Sequence, residues 1–447
     1  MGRITGSLGR PISGISQQPS SVRFPGQCTD SLNNMFDLVD GLKTRPGTRY
    51  LSKISNTGID INTKIHYYSR GDNNESYFIA LVGNEIKIYS PDGTEHIVNI
   101  VDQGAMDYIL LAKEPRKDLI FKTISDYTFV INTKVGVKIS SEKTPKRKKQ
   151  AILNVQFMDY AQTQTVSFKI TENGDFTKYA SYTSPDGSDK SHKAQVATDY
   201  VSKRLYDQLV AANIPGYTFE LVGNCIFVSC DDAHILDVRC TDDAGGDNLI
   251  VVNSSVSDTS KLPGKAPDGF IIEIDPPGSN TQDNSNYWLK AVSNGAGGVT
   301  WRETIGPDEF YKFDLNTMPV TITRDSIADN GVATFSIKYG KWEPRDVGDD
   351  RTNPFPSFAT EEGLYTIRNL GIFQNRLFFI SDENIVFSRT DFYFRFWKDS
   401  TKVSLDTDVI DIYADSKKLI GVINSNNLVS ILIKYIKIYL LNDYKIR

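Results

Sequence analysis

Residues 76–100 read SYFIALVGNEIKIYSPDGTEHIVNI, and this stretch decides the fold class. It contains three short runs rich in Ile, Val, Tyr and Phe, which are the residues that favour β-strands. A Gly-Asn pair separates the first two runs and a Pro-Asp-Gly triplet separates the last two, and both have turn chemistry. The stretch therefore predicts consecutive short strands joined by tight turns.

The same rhythm continues on both sides of this stretch. TKIHYYS precedes it, and DLIFKTI, DYTFVIN and VGVKIS follow it up to residue 140. Strands spaced by about 8–12 residues predict a sandwich, a barrel or a propeller. Two groups of three or four strands fit propeller blades, although no WD- or kelch-like signature repeats. Short strands return in residues 364–424 as LYTIRNL, RLFFIS, NIVFSRT, VIDIYA and KLIGVIN.

A segment of different character lies between these β-rich parts. SHKAQVATDYVSKRLYDQLVAA predicts one substantial helix with Ser191 as its N-cap. Its apolar stripe consists of Ala197, Tyr200, Val201, Leu205 and Leu209. We therefore predict a mainly β fold with an inserted α+β unit and partial β-propeller-like blades on both sides of the insertion.

Five regions follow from these patterns. They are an extended N-terminal arm (1–55), a first set of β blades (56–142), the α+β insertion (151–260), a β-rich platform or dock region (261–360) and returning blades (361–447). The basic run KTPKRKK at 143–149 is either a solvated linker or a phosphate contact.

Composition favours a packed assembly protein. Of 447 residues, 39% are hydrophobic and 23% are charged, so wholesale disorder is excluded. The 22 Tyr and 23 Phe residues favour strands and interfaces. A net charge of −5 argues against a protein that grips phosphates, but it is compatible with nucleic acid sliding past.

The sequence contains few patterns typical of catalytic or metal-binding sites. Cys225 and Cys230 are five residues apart in one predicted strand, so they should lie on opposite faces, which does not fit zinc-ligand spacing. No G-x-S-x-G elbow or phosphate-binding loop is present. We therefore predict no catalytic, cofactor-binding or metal residues and no enzyme activity. A polysaccharide hydrolase using paired carboxylates and a receptor-binding tail component stay as alternatives.

Six segments follow one another along the chain: GISQQPSSVRFPGQ (14–27), NNMFDLVDGLKTRPGTRYL (33–51), SDYTFVIN (125–132), DNLIVVNSSVSDTSKLPGKAPDGF (247–270), NPFPSF (353–358) and NRLFFISDENIVFSRTDFYFRFW (375–397). In this order they resemble the nozzle protein (tail tubular protein B) family of short-tailed bacteriophages, the podoviruses. The matching signature residues, to which the resemblance assigns assembly or folding roles, are Gly14, Ile15, Ser16, Gln17, Gln18, Pro19, Arg23, Arg45, Pro46, Gly47, Arg376 and Leu377.

The resemblance implies a structural subunit of the virion tail, made in the bacterial host cytoplasm. Such subunits form a six-membered ring that contains β-propellers and lies below an adaptor ring of tail tubular protein A, with tail fibres at the junction. DNA passes through the lumen without specific binding, and the tip meets the host cell surface. Six copies at −5 each would give the ring a formal charge of −30, and an acidic lumen would repel phosphates.

The C-terminus departs from the family pattern. Family members continue beyond the point that corresponds to residue 447, and the last fifteen residues, IKYIKIYLLNDYKIR, contain twelve Ile, Leu, Tyr or Lys. We expect a C-terminal truncation from a frameshift, an early stop or a split gene, with the tip missing. Since blades that lack neighbours expose edge strands, we also expect this chain alone to fold incompletely or to associate.

Overall fold

A computed structural model describes residues 12–54, 58–69, 75–277 and 286–413. The KLIGVIN strand and the C-terminal composition shift lie outside the described residues. The described residues form two compact units, which we treat separately. The first comprises the chain up to Gly58 together with Pro91–Thr94, and the second comprises Ile59–Ser90 and the chain from Glu95 onward.

The first unit contains a β-hairpin, β1 (Asn34–Asp37) and β2 (Gly41–Thr44). The strands pair from Asn34 with Thr44 to Asp37 with Gly41. The structure thus contains a hairpin within the region predicted as an extended arm, and the arm itself stays a prediction. Its turn is stabilised locally, because the Asp37 carboxylate accepts the backbone N–H groups of Val39 (2.8 Å) and Asp40 (3.0 Å).

The second unit contains most of the strands and all four described helices. Before the insertion these are β3 (Lys64–Ser69), β4 (Ser76–Val82), β5 (Glu85–Tyr89), β6 (Glu95–Ile100), α1 (Gln103–Leu110), α2 (Pro115–Asp118), β7 (Leu119–Ile124), β8 (Tyr127–Asn132) and β9 (Val137–Lys138). In the insertion they are β10 (Gln150–Val155), β11 (Thr163–Lys169), β12 (Thr177–Thr183), α3 (His192–Gln195), α4 (Thr198–Ala211), β13 (Tyr217–Val222), β14 (Cys225–Cys230), β15 (Asp237–Asp242) and β16 (Leu249–Val252).

The remaining strands follow the insertion. They are β17 (Ser255–Val256), β18 (Ile271–Ile274), β19 (Tyr287–Ser293), β20 (Val299–Thr304), β21 (Val320–Ile327), β22 (Ala333–Tyr339), β23 (Ala359–Thr360), β24 (Asn369–Phe373), β25 (Arg376–Ser381), β26 (Asn384–Phe387) and β27 (Ile410–Tyr413). A 3-10 turn at Thr259–Lys261 lies between β17 and β18. None of the helices in the described part of the chain is long and apolar enough to cross a membrane.

One sheet joins strands from before and after the insertion. Its order is β3-β4-β5-β6-β22-β21-β8-β7, with β22 parallel to β6 and β21 antiparallel to β8. The two outer strands approach each other where Nε2 of His66 on β3 lies 3.0 Å from Oγ1 of Thr123 on β7. The sheet is therefore a nearly closed barrel, with α1 packed in its apolar interior.

This arrangement confirms the predicted mainly β fold, with strands on both sides of an α+β insertion. A propeller arrangement of those strands stays a prediction, as do the boundaries of the five regions. β21 and β22, which fall in the predicted 261–360 region, pair with the strands of the 56–142 region.

The insertion is built around a second sheet with two apolar faces. Its order is β13-β14-β10-β16. On β10, Leu153 and Val155 pack against α4 and the three-stranded sheet β12-β11-β15, whereas Ile152 packs against the sheet β17-β18-β19-β20. Because side chains alternate along a strand, a nearly continuous apolar run serves two cores at once.

The main helix begins later than the sequence predicts. The segment from Ser191 forms the short helix α3, and α4 starts only at Thr198. Ser191 makes no side-chain capping bond, and its own backbone is helical (φ −66°, ψ −21°) rather than extended, as an N-cap requires. The buried stripe of α4 includes Val201, Leu205 and Leu209.

Candidate functional site

The N-terminal signature forms a closed loop in the first unit. Ile15 bridges Cys28, with the N–H of Cys28 donating to the carbonyl of Gly14 (2.9 Å) and the N–H of Ser16 donating to the carbonyl of Cys28 (2.9 Å). Gly14 has a positive φ of 77°, which an L side chain rarely adopts. The sequence GIS thus fixes the base of a loop that spans residues 14–28.

Arg23 fastens the inside of this loop. Its Nη2 donates to the carbonyl of Gln18 at 2.7 Å, and the N–H of Gln18 donates to Oγ of Ser16 at 3.2 Å. Gln17, Gln18 and Pro19 themselves are exposed. The signature residues therefore divide into those that shape the loop and those that the loop presents.

Arg45 closes the hairpin that follows. Its N–H donates to the carbonyl of Asn33 (2.9 Å), and its Nε donates to the Asn33 side chain (2.9 Å). Pro46 and Gly47 continue from it as exposed chain. This signature position therefore stabilises the base of the hairpin, and the irregular chain that follows it is exposed to solvent.

Arg376 and Leu377 lie in the second unit, on β25. Arg376 is 5% exposed, and its guanidinium donates to the carbonyls of Ser388, Asp406 and Asp408. Leu377 is fully buried, and its backbone exchanges hydrogen bonds with Ser388. These two residues therefore join β25 to the chain that follows β26.

Several of the family segments meet in one aromatic core of the second unit. Phe358 of NPFPSF packs edge-to-face on Phe379 (5.4 Å between ring centroids), and Phe379 stacks on Phe396 (5.1 Å). Trp397 stacks on Phe313 and is fully buried. Segments from residues 129 to 397 thus contribute to a single cluster.

Arg345 is a buried cation that the sequence reasoning missed. It is 1% exposed, and its Nη1 donates to Asp350 (2.7 Å) and to the carbonyl of Asn353 (3.0 Å). Its guanidinium lies over the rings of Phe355 and Trp397. The signal was the run WEPRDVGDD, in which one arginine is surrounded by acidic and aromatic residues.

The basic run at 143–149 makes contacts within the chain. Arg147 donates through Nε to the carbonyl of Ile271 (3.0 Å) and lies over the ring of Phe270. Lys149 donates to the carbonyl of Asp232 (2.9 Å), and Lys143 lies over the ring of Phe310. Three of the five basic residues in this run therefore contact other parts of the chain, so the run is not a simple solvated linker.

The cysteines behave as small apolar side chains. Cys225 faces the core between two sheets, and Cys230 faces the opposite core against α4, as their odd spacing predicts. Burial raises the pKa of the Cys225 thiol to about 11, so it is not a reactive thiolate at neutral pH. Within the described ranges, no group of three His, Cys, Asp or Glu residues is placed to hold a metal ion.

One open groove of about 660 Å³ lies at the end of the insertion. Its lining includes the amides of Asn154, Asn224 and Asn294 and the amine of Lys265. Its lining contains no carboxylate among the residues that the structure describes, so this groove offers no acid pair for glycoside hydrolysis.

Comparison with known proteins gives one consistent result. The bacteriophage nozzle protein family matches residues 1–424. A curated relative, tail tubular protein gp12 of Escherichia phage T7, is 29% identical over 425 residues, which cover 94% of this chain and 50% of the relative. The chain therefore spans about half the length of the curated relative that it matches.

Proposed function

Because this chain belongs to the bacteriophage nozzle protein family and is thus a structural component of a phage tail, we propose that it is a subunit of a tail nozzle ring that conducts the genome. The match over residues 1–424 carries the proposal. The geometry supports it, because the signature residues Arg23, Arg45 and Arg376 form scaffolding contacts, whereas Gln17, Gln18 and Pro19 are presented to solvent.

The proposal includes six copies around a central channel. The ring joins an adaptor ring above it and tail fibres at its side, and the host cell surface lies beyond its tip. DNA moves through the lumen without being held, since a chain with a net charge of −5 offers little attraction to phosphates.

The test is negative-stain electron microscopy of the purified full-length chain. We expect ring-shaped particles with a central hole and sixfold class averages. Particles without a hole, or a population of single subunits at every concentration, would contradict the proposal. Release of reducing sugar from host surface glycan would instead favour a hydrolase.

A further inference from the structure

The N-terminal segment, residues 12–54, lacks a core of its own. Gly41 is the only buried residue in it, and no apolar side chain of the segment is buried. An isolated two-stranded hairpin is marginally stable in water at best. The segment therefore depends on a surface outside itself for its order.

Its apolar side chains are unusually exposed. Ten of them are 43–85% exposed: Ile15, Val22, Phe24, Leu32, Met35, Leu38, Val39, Leu42, Tyr50 and Leu51. Together they present an area on the order of 1,000 Å², comparable with the roughly 800 Å² per partner of a stable protein interface. An apolar area of this size suits burial against another protein surface.

The distribution of charge along the chain indicates which surface the N-terminal segment contacts. Residues 1–54 hold seven Arg or Lys against three Asp, a net charge of +4, so the remaining 43 basic and 52 acidic residues of the chain carry −9. Two of the three acids, Asp37 and Asp40, already pair with Lys43 inside the hairpin. Among the described residues, no ion pair engages the cations of the exposed stretch 45–53, so they can face an acidic partner.

We propose that residues 12–54 are a latch that docks on the acidic remainder of a second copy of this chain. This inference rests on the proposed ring, in which an identical neighbour is always adjacent. Apolar side chains of the latch are buried on the neighbour, and Arg45, Arg49 and Lys53 meet its acidic surface. Exchange of an identical segment between subunits joins them at a low free-energy cost.

Isotope-resolved cross-linking of the full chain tests the proposal. Unlabelled and ¹⁵N-labelled chains are mixed as monomers, assembled and treated with a lysine-reactive cross-linker. Lys43 and Lys53 are the lysines of the latch. In a 1:1 mixture, we expect about half of the cross-links between Lys53 and lysines beyond residue 58 to join a labelled and an unlabelled chain.

Substitutions at the hairpin tip give an independent measurement. Leu38 and Val39 are 85% and 83% exposed, so Leu38→Ser with Val39→Ser should leave the chain folded. We expect this pair to raise the dissociation constant of the assembly about tenfold or more. The matched control is Leu364→Ser with Val403→Ser, which are 67% and 56% exposed outside the latch and should change it less than about twofold.

The outcomes separate this inference from the proposed function. Rings whose latch cross-links join only chains of the same isotope, or rings that tolerate the tip substitutions like the control, overturn the latch and leave the ring standing. Rings in which the latch forms no cross-links and stays open to protease assign it to a different partner and also overturn the inference. A chain that is monomeric at all concentrations contradicts the ring itself.

Discussion

Replacing Arg376 by Met should destabilise the second unit by about 3 kcal/mol. The buried guanidinium donates to three backbone carbonyls, those of Ser388, Asp406 and Asp408. A hydrogen bond to a charged group contributes roughly 1.5–3 kcal/mol. Adding the contributions of all three hydrogen bonds overstates the destabilisation, because the methionine variant no longer buries a cation. The expected net decrease in the free energy of unfolding is therefore about 3 kcal/mol.

The assay is urea unfolding of the full chain, followed by the fluorescence of the buried Trp397 and Trp342. The matched control is Arg368→Met, because Arg368 is half exposed and its ion pair with Asp382 spans 3.6 Å, which predicts a loss below about 1 kcal/mol. A free energy of unfolding for the Arg376 variant within about 0.5 kcal/mol of the parent would refute the reasoning.

Three further perturbations test other parts of the structure. Burial lowers the pKa of His66 from 6.5 to about 4, so the unfolded state binds a proton at a higher pH than the folded state does. The free energy of unfolding should therefore drop by about 1–2 kcal/mol as the pH falls from 6.5 to 4. Unfolding of a His66→Gln variant, measured over the same pH range, should lack this drop. Trp397→Ala should cost about 3–5 kcal/mol in thermal or urea unfolding, since the ring is fully buried, and a cost under about 1 kcal/mol would contradict its place in the core. Asp242→Ala should lower the free energy of unfolding by about 1–3 kcal/mol, because the Asp242 carboxylate accepts hydrogen bonds from four backbone N–H groups of the following loop. We expect faster hydrogen exchange confined to residues 244–249. Unchanged exchange there would show that the loop keeps its structure without the carboxylate.

The strands of the barrel sheet could be predicted from local sequence. Residues 76–100 contain three runs of strand-favouring side chains and carry turn residues where the chain reverses, so β4, β5 and β6 follow from local chemistry. The hairpin β1–β2 also left a local signal, the Asp40-Gly41 pair between apolar residues, which the prediction of an extended arm overlooked.

Partners distant in sequence could not be predicted. β6 pairs with β22 across more than 200 residues, and no local property of either strand identifies its partner. The same is true of the aromatic core, in which Phe129 shares a cluster with Phe396. The predicted start of the main helix was wrong for a different reason. Serine is a common N-cap residue, but Ser191 has helical backbone angles.

The candidate site was only partly visible in the sequence. The resemblance identified Arg23, Arg45 and Arg376, and each makes a specific contact with backbone or side chain. It did not reveal that Arg376 is buried scaffold while Gln17 and Pro19 are presented to solvent. Residue type alone does not separate these two roles, because burial depends on contacts between segments far apart in the chain.

The most direct test of the central claim is the mass of the assembled full-length chain, measured by native mass spectrometry over a range of concentrations. We expect a dominant species of six copies that dissociates as salt rises, since the proposed subunit contacts include opposite charges. A monodisperse monomer with a single cooperative melting transition would contradict it.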